Sequence, residues 1–282
     1  MSRSSVIADP QGSAPPIGAR ATQTGMVVVL KVGGASLDDA ARRAVLAVDV
    51  GELRARGVSV VMVHGGGPQI TEEMEYRGLV PSFLDGRRVT DDATLAVTER
   101  VLLGVLSPAL VASLAEAGVD ALALTGASGG LLTARRVGGL GHVGEITGVR
   151  SDILTAVLDL GLTPVVSCLA RSTDGGTLNV NADEVAAAIA VSLGAHKLLY
   201  VTDVPGILGD REAPDSLFPF LDSQELEGLL PQLGSGMVLK ARSALQALRG
   251  GVDRVHILEV GGPTDLIDHI VKGASRGTQV TL

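Results

Sequence analysis

Met26–Ser36 reads MVVVLKVGGAS. Val27 to Leu30 is an unbroken apolar run rich in β-branched valine, which predicts a short buried strand. Lys31 stands at the strand's end, and Gly33 and Gly34 follow. From about Leu37 to Arg56 the apolar residues recur at helical spacing. A strand that stops at Lys-x-Gly-Gly and turns into a helix makes a good anion site. The glycines let backbone N–H groups come close to a phosphate, and the helix N-terminus adds partial positive charge. Lys31 can add a full charge on a flexible stem. An ordinary β-to-α turn holding two glycines would read the same, so this stretch needs support from elsewhere in the chain.

Support comes from the next strand. Gly57 is placed to end the helix, and Val58 to Val63 is a second apolar run that stops in His64-Gly65-Gly66-Gly67-Pro68. Two strands separated by one helix imply a right-handed crossover and parallel pairing. Both glycine turns then lie at one edge of the sheet, where α/β proteins place their ligands. A histidine at a strand end is more often a local hydrogen-bonding residue than a base, and His64 is read that way.

Composition removes whole classes of function. Of 282 residues, 46% are hydrophobic, ample for a large core. The net charge is −8 and no basic run exceeds two residues, which argues against a nucleic-acid partner. Tryptophan is absent and aromatics are 2% of the chain, so base-stacking platforms are not expected either. Cys168 is the single cysteine, which rules out an internal disulfide and a cysteine-based zinc site and fits a reducing, cytoplasmic setting. The longest mostly apolar run is read as Val185–Ala195, too short to cross a bilayer. Residues 1–25 are rich in Ser, Pro, Gly and Ala, lack the apolar centre of a signal peptide, and are expected to form a mobile leader.

The rest of the chain continues the α/β alternation. Ile70–Gly78 reads as a short helix and Pro81–Arg88 as a hairpin loop. Thr90 or Asp91 is placed to cap a long helical pattern that runs to Gly118, with Pro108 expected to kink it. Arg87 and Arg88 precede that cap; a solvated pair is the plain reading, and an arginine there could also grip a carboxylate through two parallel bonds. Val119–Leu124 and Thr163–Cys168 are further strands; Leu131–Arg136 and His142–Val149 read as a strand pair. Ser151 is expected to cap the helix that runs to Leu160. Asn179-Val-Asn-Ala-Asp183 opens an Ala-rich helix, and capping explains only one of its three polar residues. Lys197–Thr202 is a strand that ends in Asp203-Val204-Pro205-Gly206. Gly234-Ser-Gly-Met237 is another glycine loop, with Lys240 expected in the first turn of the helix after it, in reach of a phosphate. A soft boundary is placed near Gly194, between lobes 26–194 and 195–282 that could share one sheet.

Taken in order, these motifs resemble the amino-acid kinase family from about Val27 to Val280. They are Lys31-Val-Gly-Gly34, His64-Gly-Gly-Gly-Pro-Gln69, Gly86-Arg-Arg-Val-Thr-Asp91, Gly144-Glu-Ile-Thr-Gly-Val149, Asn179-Val-Asn-Ala-Asp183, Thr202-Asp-Val-Pro-Gly-Ile207 and Gly236-Met-Val-Leu-Lys240. The resemblance implies an open three-layer α/β/α sandwich with a mainly parallel central sheet. The N-terminal lobe would bind an acyl amino acid and the C-terminal lobe ATP. By the same resemblance the phosphate-clamping lysines fall on Lys31 and Lys240, and the aspartate that holds both falls on Asp183. The glycines near the transferred phosphoryl group fall on Gly33 and Gly34. Gly65, Gly66, Arg88 and Asn179 would meet the acceptor. Thr202, Asp203, Val204, Gly206, Ile207 and Leu208, with Gly234, Gly236 and Met237, would lie against the nucleotide.

The implied activity is ATP-dependent phosphorylation of the side-chain carboxylate of N-acetyl-L-glutamate, in arginine biosynthesis. That carboxylate is already ionised at neutral pH, so no general base is required. Phosphoryl transfer is then mostly positioning and charge neutralisation. No dedicated protein cage for Mg²⁺ is visible, and the ion is expected to arrive on the ATP phosphates. Departures from the usual family text at Gly126–Gly129, Ser167–Ser172 and Arg150 leave open another N-blocked acidic amino acid, such as an aminoadipate derivative. A dinucleotide-dependent dehydrogenase is disfavoured because no G-x-G-x-x-G follows the first strand. A non-catalytic amino-acid sensor is disfavoured because it has no need of two phosphate-facing lysines. Arginine-inhibited members of the family carry an extra N-terminal amphipathic helix that links dimers into a ring. Pro10, Pro15 and Pro16 in the leader oppose such a helix, so a homodimer insensitive to arginine is expected.

Overall fold

The alternating pattern folds as a central sheet clothed by helices. The computed structural model describes residues 25–33, 35–210, 212–260, 262, 265–272 and 276–282. The expected leader, but for Gly25, and the expected phosphate glycine Gly34 lie outside the described residues. Strand β1 (Val27–Val32) is followed by one helical turn, α1 (Ala35–Asp38), and by helix α2 (Ala40–Ala55), whose Asp39 N-cap accepts the N–H of Ala41 at 2.7 Å. Strand β2 (Ser59–His64) leads into α3 (Gly67–Tyr76). A hairpin of two-residue strands, β3 (Phe83–Leu84) and β4 (Arg87–Arg88), turns at Asp85 and Gly86, both in the left-handed region at φ 50° and 76°. Asp91 caps α4 (Asp92–Val101) by accepting the N–H of Thr94.

Pro108 does not break the long helix; a π-helical turn at Leu102–Leu106 absorbs it before α5 (Ser107–Glu116). The helix Asp92–Glu116 is therefore longer than the run expected to be the longest, and by length and composition alone it could cross a membrane. Its inner face packs instead on α2 and α3 and on the sheet. Next come β5 (Ala121–Thr125), β6 (Leu132–Arg136), β7 (Gly144–Val149) and α6 (Ser151–Asp159). Ser151 is the first residue of α6, not its cap; Arg150 holds the N-cap position and makes no side-chain cap bond. Strands β8 (Thr163–Ser167), β9 (Leu169–Ser172) and β10 (Thr177–Asn179) lead to α7 (Ala182–Ser192). The remainder is β11 (Lys197–Thr202), β12 (Phe220–Asp222), α8 (Ser223–Leu229), α9 (Ser235–Arg249), β13 (Arg254–Glu259), α10 (Asp265–Ile267) and β14 (Thr278–Thr281).

Eight strands form the main sheet in the order β12-β14-β13-β11-β1-β2-β8-β5, and every pair is parallel except β13 with β14. A mainly parallel sheet with helices on both faces buries both sides of its strands, which is why they read as continuous apolar runs. Val28, Val29, Leu30, Val60, Val61, Val165, Leu198 and Leu199 are all wholly buried. The pairing of β1 with β11 carries the sheet unbroken past Gly194. A smaller sheet, β10-β9-β6-β7, stands beside it. In the main-sheet register Lys31 lies between Val63 and Tyr200, and Val32 lies beside His64. The carboxyl ends of β1, β2 and β11 therefore share one edge, and the glycine turns open along it.

Candidate active site

Three polar residues from distant parts of the chain meet at that edge. Lys31 is the penultimate residue of β1, Asp183 lies in the first turn of α7, and Lys240 lies in the second turn of α9, one turn deeper than expected. Lys31 Nζ is 3.0 Å from Asp183 Oδ1, and Lys240 Nζ donates to Asp183 Oδ2 at 3.0 Å. Asn181 caps α7 by accepting the N–H groups of Asp183 and Glu184 at 2.8 and 3.3 Å, which aims the Asp183 carboxylate between the two ammonium groups. The short side chains of Ala186, Ala187 and Ala190 let α7 lie close on its neighbours.

Electrostatics hold this cluster charged. Burial alone would raise the Asp183 pKa, but the ammonium groups of Lys240 and Lys31 outweigh it and bring it down to about 2. Burial lowers the Lys240 pKa, and the Asp183 carboxylate pushes it back up. Tyr200 supports both partners. Its hydroxyl donates to the Asp183 carbonyl at 3.3 Å, and its ring centroid lies 4.9 Å from Lys240 Nζ. Tyr200 carried no motif in the sequence. The signal that could have found it is its register in β11, directly beside Lys31.

A cavity of about 270 Å³ opens next to the cluster. Lys31, Gly33, Gly65, Gly66, Arg88, Asn179 and Asp183 all line it, so the structure brings every residue expected at the acceptor to Lys31 and Asp183, with Lys240 joined to them through Asp183. A Cβ on Gly33 would stand 2.7 Å from Lys31 Nζ, so a larger residue there would displace the ammonium from its place over that turn. Gly65 and Gly66 differ in what they can offer. Gly65 N–H is spent on Val32 O at 3.3 Å, whereas Gly66 faces the cavity at the N-cap of α3. Asn179 Nδ2 donates to Thr90 Oγ1 at 3.2 Å, which fixes its amide at the cavity wall. The three polar residues of Asn179–Asp183 thus have three separate tasks, and only Asn181 is a cap.

Arg88 is held in place before any ligand arrives. Its Nη2 donates to Gly67 O and Thr71 Oγ1, each at 2.8 Å, and its guanidinium stacks on Phe83 at 4.7 Å. Arg87 is not the solvated neighbour expected from the sequence: it makes an ion pair of 2.6 Å with Glu184. That contact joins residues 97 apart, and no local pattern announced it. His64 is no base. Burial drives its pKa down to about 4, and its Nε2 lies 2.8 Å from Ser107 Oγ. Cys168 also lines the cavity, but burial pushes its thiol up to about 11, away from reactivity.

The residues expected at the nucleotide lie on the other side of Lys240. Thr202 ends β11, and its hydroxyl donates to Asp203 Oδ1 at 3.1 Å. Asp203 is near enough to Lys240 to raise its pKa. Val204 and Leu208 are half-buried along the same loop. Gly206 and Ile207 are tied into the core: a Cβ on Gly206 would meet Thr278 N at 2.9 Å, and Ile207 N–H donates to Thr278 Oγ1 at 2.8 Å. Gly234 is the N-cap of α9 with no side-chain cap bond, and Gly236 and Met237 fall in its first turn. Uncapped N–H groups there suit a phosphate. None of these residues lines the 270 Å³ cavity.

Comparison with known proteins agrees with this fold. The model of the amino acid kinase family matches residues 26–259. The acetylglutamate kinase of Frankia alni is 41% identical over 265 residues, covering 91% of this chain and 77% of that one. The acetylglutamate kinase of Prochlorococcus marinus strain NATL1A is 38% identical over 257 residues, covering 90% and 84%. In the solved structure of N-acetylglutamate synthase from Neisseria gonorrhoeae with coenzyme A and N-acetyl-glutamate, the match has TM-score 0.80 at 29% identity. It covers 92% of this chain but only 60% of that longer protein. With the family model spanning most of its length and the sheet, helices and paired lysines in place, this chain belongs to the amino acid kinase family.

Proposed function

We propose that the chain transfers the γ-phosphoryl group of ATP to the side-chain carboxylate of N-acetyl-L-glutamate, a cytoplasmic step of arginine biosynthesis. The observation that carries this reading is the pair of ammonium groups, each 3.0 Å from one buried carboxylate, beside a cavity that also presents an arginine. Relatives named acetylglutamate kinase, at 38–41% identity over nine-tenths of the chain, support the choice of acceptor. Residues 26–194 would hold the acyl amino acid and 195–282 the nucleotide, with the shared sheet keeping the two in register.

Lys31 and Lys240 neutralise the charge that gathers as the acceptor carboxylate approaches the γ-phosphoryl group. Asp183 orients both and takes no proton, since its own pKa is about 2. The acceptor needs no base because its carboxylate is already ionised. Gly66 N–H, Arg88 and Asn179 hold its amide and α-carboxylate, and Thr202–Leu208 with the first turn of α9 hold the nucleotide. Among the described residues no three His, Cys, Asp or Glu side chains gather as a metal cage. Mg²⁺ belongs to the substrate as MgATP. ADP release measured with a panel of N-acetyl-L-glutamate, N-acetyl-L-aspartate and N-acetyl-L-aminoadipate tests the reading. Turnover highest with N-acetyl-L-glutamate supports it, and preference for another acceptor overturns it.

Arg88→Lys keeps the charge but loses the planar fork. A hydrogen bond to a charged group contributes about 1.5–3 kcal/mol, so the acceptor KM is expected to rise about tenfold or more. The ATP KM should barely move. A change confined to the ATP KM would move Arg88 to the other substrate. For assembly we propose a homodimer closed by the N-terminal lobe and insensitive to arginine. Light scattering should give twice the 28.7 kDa chain mass, and a hexamer or inhibition by millimolar arginine would refute it.

A further inference from the structure

The geometry points to Arg87 and Glu184 as a positioning pair that ties the hairpin over the acceptor to the turn that aims Asp183 at the two lysines. This rests on the acyl-amino-acid kinase reading of the same site and assigns it residues that the motifs do not.

The two hairpin arginines are anchored in different directions. Arg88 is held by Gly67 and Thr71 at the start of α3. Arg87, the next residue along β4, reaches instead to α7, where its Nη2 donates to Glu184 Oε1 at 2.6 Å. Neighbouring side chains on a strand leave from opposite faces, so each arginine serves one side of the hairpin. The hairpin strands are two residues each, and the Phe83 and Leu84 side chains are more than half exposed, at 56% and 55%. A hairpin this short, with its first strand exposed, depends on its anchors for a defined position.

At its other end the pair acts on the clamp. Glu184 directly follows Asp183, and the N–H groups of both residues go to the same Asn181 oxygen. A force on the Glu184 carboxylate is therefore felt by the turn that sets Asp183. The Arg87 and Glu184 side chains are only 20% and 16% exposed, so the contact is far less screened than a surface ion pair. Burial raises the Glu184 pKa and Arg87 opposes that rise, with Glu145 and Asp183 adding unfavourable charge. Without Arg87 the carboxylate would face those two acids unpaired. Arg87 also borders both the acceptor cavity and a second cavity of about 490 Å³ behind it, lined by Glu184, Arg135, Glu145 and Arg242. Arg87 is thus part of the wall between them, and Glu184 meets it from the side of the second cavity.

Occupation of the acceptor cavity would press the hairpin down and, through Arg87 and Glu184, hold the Asp183 turn in its working position. The test uses the full chain and the near-isosteric Glu184→Gln, together with Arg87→Met and the double variant. Each single variant is expected to raise the acceptor KM and lower kcat by about five- to tenfold, with the ATP KM within about twofold. The double variant should be no worse than the worse single one, because both remove one contact. Multiplying losses in the double variant, or wild-type kcat and acceptor KM in Glu184→Gln, overturn the pair. Hydrogen exchange without ligand reads the tie independently of catalysis. Amides of residues 83–89 should exchange faster in Glu184→Gln while those of α3 stay unchanged, and unchanged exchange across 83–89 overturns it. If N-acetyl-L-glutamate is not turned over by the wild type, the functional reading fails, yet the exchange experiment still decides the tie.

Discussion

Lys240→Ala is expected to lower kcat at least about a hundredfold while moving the KM of either substrate only a few-fold. The ammonium sits at a site 8% exposed, over the Tyr200 ring and against the Asp183 carboxylate. A charge held there has lost most of its water and is fixed before the reaction begins. Its attraction for developing charge is correspondingly strong, and no reorganisation is needed as the phosphoryl group moves. Both anionic substrates keep other contacts, so ground-state binding suffers less than the transition state. Lys31→Ala should behave alike, because its ammonium shares the same carboxylate from the other side. The measurement is steady-state ADP release with each substrate varied in turn. Near-wild-type kcat in either variant would remove that lysine from the clamp.

The features legible in the sequence were those written in short-range pattern. The valine run of β1, the glycine turns after β1 and β2 and the cap at Asp91 all express local rules, and the fold follows from their order. What the pattern hid was set by tertiary contact. Pro108 reads as a helix breaker, but Leu102, Leu106 and Leu110 bury beneath the helix, and a π turn keeps it continuous through the proline. Ser151 has the chemistry of a cap, yet the chain enters α6 one residue earlier than a cap there would need.

The site divides the same way. Lys31, Asp183 and Lys240 lie 57 or more residues apart, or on different layers, and motif order alone joined them. Their juxtaposition depends on the pairing of β1 with β11 and on α7 packing against α9, neither of which any single stretch encodes. Arg87 was unreadable for a plainer reason. An arginine beside an arginine at the tip of a hairpin looks solvated until Glu184 is brought up by the fold. Gly206 and Ile207 show the reverse: residues in a ligand-loop motif that serve first to fasten that loop to β14.

Asp183→Asn is expected to abolish most activity and to destabilise the fold at once. Breaking a buried ion pair by removing one partner costs about 3–5 kcal/mol, so Tm should fall by about 5–10 °C. The amide keeps the shape and the cap of α7 but leaves two ammonium groups facing each other without a counter-charge. They will part, and the clamp loses its spacing, so kcat should fall about a hundredfold or more even where ATP still binds. The pH dependence has a definite sign. The carboxyl pKa is about 2 in the folded chain against an ordinary 3.8, so the depressed group contributes stability above about pH 4. That contribution, about 2 kcal/mol, is lost as pH falls through the folded value. The stability gap between wild type and Asp183→Asn should therefore be constant from about pH 5 to 8 and narrow on acidification towards pH 2. MgATP should recover part of the lost Tm in the variant, because phosphate oxygens can supply the missing negative charge to Lys31 and Lys240. Thermal unfolding across pH, with and without MgATP, checks each step. A variant with wild-type Tm and kcat would show that the two lysines are held by something other than this carboxylate.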